Sequence, residues 1–232
     1  MCVALGIVAA GIAARLQPDG SDTPREARLP LALAACGGAV LGAYLLELPA
    51  DLLGWTAAPP AGAAGDALPL GGRTVLGGIL GGWLAVESAK PRLGIRTPTG
   101  DAFALPLAVA LCCGRFGCLF AGCCVGVECA PSPFALVDAA GTPRVPVPVI
   151  EIAFHAAAAL AIAVATRLGR ARGRRLAVYV ATYAALRFVL EEWRPHPELL
   201  LGMSWYQFLA IALAALGATT AWRRTRRARQ DQ

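Results

Sequence analysis

Residues 102–119 read AFALPLAVALCCGRFGCL, an unbroken apolar run with one charged residue, Arg115. At about 1.5 Å rise per residue, a run of this length approaches the ~30 Å hydrocarbon thickness of a bilayer. It is followed by small, turn-forming residues. The stretch therefore predicts a membrane-spanning helix with a guanidinium inside it. Arginine at the centre of such a helix costs about 2.5–3.5 kcal/mol on insertion scales, so Arg115 needs a compensating partner.

The rest of the chain agrees. Of its 232 residues, 57% are hydrophobic and 16% are charged. With glycine counted and tyrosine left out, about 66% are apolar, against about 45–50% in soluble domains. Such a composition excludes a soluble globular enzyme, a disordered tail and a small disulfide-rich domain. It predicts an all-α, polytopic membrane protein, because in lipid each backbone amide must be satisfied inside its own helix. Seven spans are expected, over residues 2–14, 29–48, 74–89, 102–119, 147–165, 176–193 and 199–222. The first is short, covering about 20 Å. A signal peptide is set against it, but no basic segment precedes the run. Residues 1–222 are expected to form one transmembrane domain, and residues 223–232 a basic cytoplasmic tail touching anionic lipid.

Charge placement predicts the orientation. Of 21 basic residues, 16 fall in alternate loops and the tail, among them Arg15, Lys90, Arg167 and Arg223. The intervening loops carry Arg73, Arg144 and Arg194. The positive-inside rule then puts the N-terminus outside and the C-terminus in the cytoplasm. The net charge of +6 records topology and predicts no nucleic-acid partner.

Two basic residues remain, Arg115 and Arg187, both inside expected helices. Arg187 and Glu191 stand at i, i+4 and share a face, so they pair locally. Arg115 has no acidic residue at three or four positions away and needs a partner on another helix, or a ligand. Glu151 lies near the outer end of its helix and Gln207 about two turns into the last one. On this topology, all five polar residues gather in the outer half of the membrane. Two guanidiniums there suit a phosphate such as a lipid headgroup. A buried structural ion-pair network is the competing reading. Glu151 and His155, also at i, i+4, read as an acid–base pair or as a structural contact.

Small residues recur at helical spacing: Gly38 with Gly42, Gly77 with Gly81, and Gly78 with Gly82. Such spacing lets helix backbones approach closely in lipid. Six of eight cysteines fall between Cys112 and Cys129, with no C-x-x-C spacing, so zinc-finger and thioredoxin patterns fail. The remaining readings are small buried apolar residues, an outer-face disulfide, or a soft-metal cluster.

The stretch Gly114-Arg115-Phe116-Gly117-Cys118-Leu119-Phe120-Ala121-Gly122-Cys123-Cys124-Val125-Gly126 resembles the prolipoprotein diacylglyceryl transferase signature, G-R-x-G-N-F-x-N-G-E-x-x-G. Four further stretches resemble that family's elements in order: Leu76-Gly77-Gly78, Pro146 to Glu151, Leu186 to Glu191, and Gly202 to Gln207. The resemblance runs from about Leu5 to Trp222.

It implies a bacterial inner-membrane enzyme of lipoprotein biosynthesis. Such an enzyme moves diacylglyceryl from phosphatidylglycerol to the cysteine thiol of a prolipoprotein lipobox peptide, without metal or soluble cofactor. By motif match, Arg115 and Arg187 would hold the headgroup phosphate. Glu151, Glu191, His155 and Cys123 are the candidates for proton transfer or thiol chemistry. Gly114, Gly117, Cys118, Gly126, Gly77, Gly78 and Gln207 would line the substrate site. The chain departs from the pattern at Leu76, where the family has histidine. It also departs at Cys118 and Ala121, where the family has asparagine, and at Cys123, where it has glutamate. The first-helix tyrosine has no clear counterpart. Two alternatives follow: a catalytically impaired relative that binds phospholipid or lipoprotein, and a thiol-redox or metal-handling membrane protein.

Overall fold

The computed structural model describes residues 24–55, 74–138, 140–194 and 196–230, together with Gly11 and Ala13. Its described elements are α1 (Arg25–Leu52), α2 (Val75–Arg92), α3 (Asp101–Phe120), β1 (Leu136–Val137), β2 (Pro143–Arg144), α4 (Val147–Arg167), α5 (Arg175–Glu191) and α6 (Trp205–Gln230). Each helix from α1 to α6 falls on one of the last six expected spans. Gly11 and Ala13 are helical. The rest of the expected first span, with Arg15 and Arg73, lies outside the described residues. Among the described residues, three helical stretches are long and apolar enough to cross a membrane: Glu26–Leu52, Asp101–Phe120 and Val147–Arg167.

Helix boundaries follow local chemistry. α2 ends with Lys90 and Arg92 in its last turn, where cations meet the negative end of the helix dipole. α4 begins behind Pro146 with a second proline in its first turn, a position where no backbone N–H is needed. α6 starts later than hydropathy suggests. The Gln207 side chain accepts from the Ser204 backbone N–H at 2.8 Å, and the Ser204 hydroxyl accepts from the Gln207 N–H at 3.4 Å. This reciprocal capping box sets the helix start. Upstream, Leu199 to Met203 form a tight turn with Leu201 and Gly202 at positive φ. α6 then continues past Trp222 through the basic tail, with the Arg226 guanidinium 3.9 Å from the Trp222 ring centre.

The chain divides into two compact units. One comprises Thr23–Thr97 and His196–Leu213. Here α1 packs along α2 through the expected glycines. A Cβ on Gly42 would lie 2.7 Å from Gly81 Cα, and one on Gly77 would lie 2.6 Å from the Gly42 carbonyl oxygen. Only glycine admits that backbone approach. Gly78 is looser, at 3.4 Å from the Ala39 carbonyl. The first turn of α6 is tied to α1: Tyr206 donates to Glu47 at 2.6 Å and Trp205 Nε1 to the Leu46 carbonyl at 3.2 Å.

The other unit comprises Met1–Asp22, Pro98–Pro195 and Ala214–Gln232. Among its described residues, α3 lies chiefly against α4. Asp101, at the start of α3, accepts from the Gly173 and Arg175 backbone N–H groups at 2.6 and 2.9 Å and so caps α5. Arg174 donates to Thr225, and Arg224 to the Gly173 carbonyl, which fastens the end of α6 here.

The proline-rich segment 126–146 contains the β1–β2 hairpin. Asp138 holds it by accepting from the Ala140 and Thr142 backbone and from Arg144. Those bonds, the Thr142 backbone first, draw the Asp138 carboxyl below its ordinary range.

Candidate active site

The second of these units contains the buried charges. Arg115 sits five residues before the end of α3, and Glu151 projects from the second turn of α4. Arg115 Nη2 lies 2.7 Å from Glu151 Oε1. The expected partner for Arg115 on another helix is thus Glu151, which is fully buried. Two more groups converge on that carboxylate. Tyr183 of α5 donates to Oε1 at 3.3 Å, and Arg194, just past α5, donates to Oε2 at 3.1 Å. Arg115 also donates to the Tyr183 hydroxyl at 3.5 Å. Arg187 pairs with Glu191 at 2.5 Å, as its spacing predicts. It is close enough to act electrostatically on Tyr183 and Arg194.

Three guanidiniums therefore face two carboxylates, leaving one net positive charge in apolar surroundings. Removing charges from water is costly unless geometry and hydrogen bonds compensate. The Arg194 Nε, buried and without a hydrogen-bond partner among the described residues, marks unused donor capacity. Burial, with Arg187 and Arg115 nearby, draws the Arg194 guanidinium below its ordinary range against the pull of Glu151. An arginine nonetheless stays charged. An anion seated among these donors would balance the excess.

His155, one turn further along α4 than Glu151, is fully buried, with its ring centre 4.7 Å from that of Tyr183. Its Nδ1 shares a 2.8 Å hydrogen bond with the Tyr179 hydroxyl. Its Nε2 is buried without a hydrogen-bond partner among the described residues. Phe154 stacks on Tyr179 and Tyr183 beside it. Between α4 and α5 runs an apolar groove of about 430 Å³, walled by Ala157, Ala158 and Ala161, with Phe154 and Tyr179 among its lining residues.

The signature glycines have separate local reasons. α3 ends in a left-handed cap: Gly122 has φ +63°, its N–H bonds to the Leu119 carbonyl, and the Cys123 N–H reaches back to the Cys118 carbonyl at 3.1 Å. That return brings Cys123 and Cys124 over Cys118. All three sulfurs lie within 4.8 Å of one another. Hydrogen bonding with Cys118, aided by Arg194 and Arg115, holds the Cys124 thiol below the usual thiol range. Gly126 is buried, with its N–H on the Val145 carbonyl. A Cβ there would lie 2.7 Å from Val145 Cβ and 2.8 Å from the Trp193 carbonyl oxygen. Gly114 has open space where a Cβ would stand, so crowding does not require glycine there; Gly117 is half-buried.

The remaining expected site residues belong to the other unit. There Gly77 makes the α1–α2 contact, Gly78 lies beside it, Gln207 closes the capping box, and Leu76 is buried. His196 lies against Tyr206, with ring centres 4.7 Å apart and planes tilted by 53°.

Sequence reasoning passed over Tyr183, Arg194, Tyr179 and Glu47. For the first two a signal was present: residues 183, 187, 191 and 194 follow the spacing of one helical face. Glu47 stood inside an expected span and deserved the treatment given to Arg115.

The family model described as prolipoprotein diacylglyceryl transferase matches residues 1–223. Phosphatidylglycerol–prolipoprotein diacylglyceryl transferase 2 of Clostridium perfringens is 30% identical over 148 residues, which are 60% of this chain and 57% of that protein. The phosphatidylglycerol–prolipoprotein diacylglyceryl transferase of Rhodopirellula baltica is 40% identical over 79 residues, 33% of this chain and 16% of that protein. The match thus spans little more than half of the first relative and about a sixth of the second.

Proposed function

Because the chain belongs to the prolipoprotein diacylglyceryl transferase family, we propose that it transfers diacylglyceryl from phosphatidylglycerol to a prolipoprotein cysteine at the Arg115–Glu151–Arg194 centre. The observation that carries this reading is the buried excess of guanidinium over carboxylate, with a spare donor on Arg194. The headgroup phosphate is the anion that such a site accepts. The alanine-walled groove between α4 and α5 suits an acyl chain.

In the reaction, the acceptor thiolate attacks the glyceryl carbon bearing the phosphate ester. A C–S bond forms, the C–O bond breaks, and glycerol phosphate leaves with the bonding electrons. Arg115, Arg187 and Arg194 stabilise the charge gathering on the leaving group. The thiol's proton passes to a buried carboxylate, Glu151 or Glu191. Binding lipid and peptide in one cavity replaces a bimolecular encounter by a positioned one. The same reading places the protein in a bacterial inner membrane, with seven spans, an outer N-terminus and no metal or soluble cofactor in the transfer.

A second reading rests on Leu76, Cys118, Ala121 and Cys123, which stand where the family pattern has polar residues. It makes the chain a phospholipid- or lipoprotein-binding relative without transfer. The test is expression in a transferase-depleted bacterium with a reporter lipoprotein followed by mass spectrometry. Transfer predicts a diacylglyceryl thioether on the reporter that is lost with Arg115→Ala and with Arg187→Ala. An unmodified reporter alongside co-purifying phospholipid sinks the transfer reading and favours binding.

A further inference from the structure

We propose that Cys118, Cys123 and Cys124 form a binding site for a soft, thiophilic cation, with Cu(I) in trigonal coordination as its best-fitting occupant. The three sulfurs lie within 4.8 Å of one another, and the group contains no histidine or carboxylate. A metal–thiolate bond of about 2.3 Å in a trigonal plane sets sulfur pairs about 4.0 Å apart, so small side-chain rotations close the ring. Pure thiolate donor sets select soft metals over magnesium, calcium or manganese.

The backbone is already shaped for this. The left-handed cap at Gly122 folds the chain back so that the Cys123 N–H bonds to the Cys118 carbonyl, and Cys123 Sγ lies 3.6 Å from that same oxygen. Cys124 occupies the left-handed region at φ +62°, a conformation that a residue with a Cβ adopts at a cost. No general reason of chain geometry calls for cysteine there, since glycine would serve better. A ligand role for the sulfur supplies a reason.

Charge also fits. Three thiolates around a monovalent cation carry two net negative charges. Arg115 Nη1 lies 4.0 Å from Cys118 Sγ, and Arg194 shares Glu151 with Arg115, so cations border the site. Linear spacing hid the set, because 118, 123 and 124 match no C-x-x-C pattern. The helix end, rather than a metal loop, gathers them. The inference is argued from the sulfur geometry and does not rest on the transfer reaction, although the site borders Arg115 of the proposed transfer centre.

The full-length protein, purified in detergent under anaerobic conditions, is titrated with Cu(I) against a coloured Cu(I) chelator. One equivalent per chain is expected, with X-ray absorption showing three sulfur neighbours at about 2.3 Å. Cu(I) should protect these three thiols from alkylation, as mapped by mass spectrometry on the unaltered protein. Cys124→Gly relieves the backbone while deleting a donor, so it should keep or raise thermal stability and lose the tight equivalent. Cys112→Ser and Cys129→Ser should retain it. Binding undiminished in Cys124→Gly overturns the site. So does a disulfide among the three cysteines in protein trapped with alkylating reagent at lysis. One equivalent of Zn(II) held in preference to Cu(I) overturns the trigonal assignment.

Discussion

Glu151 is the residue on which the buried polar centre depends. It accepts from two guanidiniums and a tyrosine hydroxyl while itself fully buried. Glu151→Gln keeps the shape but removes the carboxylate charge that pairs with both Arg115 and Arg194. Two arginines would then face each other uncompensated in apolar surroundings. Removing one partner of a buried pair costs about 3–5 kcal/mol. A clear fall in the thermal midpoint in detergent is therefore expected, followed by near-ultraviolet circular dichroism. An unchanged midpoint would mean that water or lipid phosphate already compensates the arginines. The charge on Arg115 announced the need for a partner in the sequence. The partner's identity did not follow, because Arg115 and Glu151 are 36 positions apart and only helix packing joins them.

At the scale of elements, the α1–α2 pair is specified by its glycines more than by its apolar faces. Lipid tails are as apolar as leucine, so close backbone contact, rather than exclusion of water, holds helices together in a bilayer. Gly42→Val places branched carbon where Gly81 Cα and the Gly77 carbonyl stand, and backbone cannot yield as a flexible side chain would. Disulfide cross-linking between cysteines introduced on α1 and α2 should fall sharply in this variant. The same variant made at Gly37, where nothing lies within 4 Å of a built Cβ, should cross-link normally. Equal cross-linking in both would refute the glycine contact. The spacing of these residues was legible in advance. The hairpin at residues 136–144 was not, because its order comes from one side chain, Asp138, rather than from any hydrophobic alternation.

For the whole molecule, the orientation rests on where the arginines lie. Arg167, Arg170, Arg172, Arg174 and Arg175 crowd the α4–α5 connection, whereas the β1–β2 hairpin carries Arg144 alone. Such a bias in short loops retains the richer side in the cytoplasm. Reporter fusions should therefore show the α4–α5 connection and the end of α6 inside, and the hairpin near Gly141 outside. A periplasmic reporter active at Ala171 would invert the proposed topology and, with it, the side from which a lipoprotein peptide enters.

Composition, run lengths and charge bias were enough to mark a helical membrane protein, six described helices and a family signature, since each depends on local content or spacing. The i, i+4 pair of Arg187 with Glu191 was equally readable, because one helix sets its geometry. Tertiary structure alone decided that Glu151 serves Arg115 and Arg194 together, that His155 turns to Tyr179, and that Tyr183 joins the centre. It also gathered three cysteines at the end of α3. These depend on helices and turns meeting in space, where a few ångströms separate an ion pair from two costly buried charges.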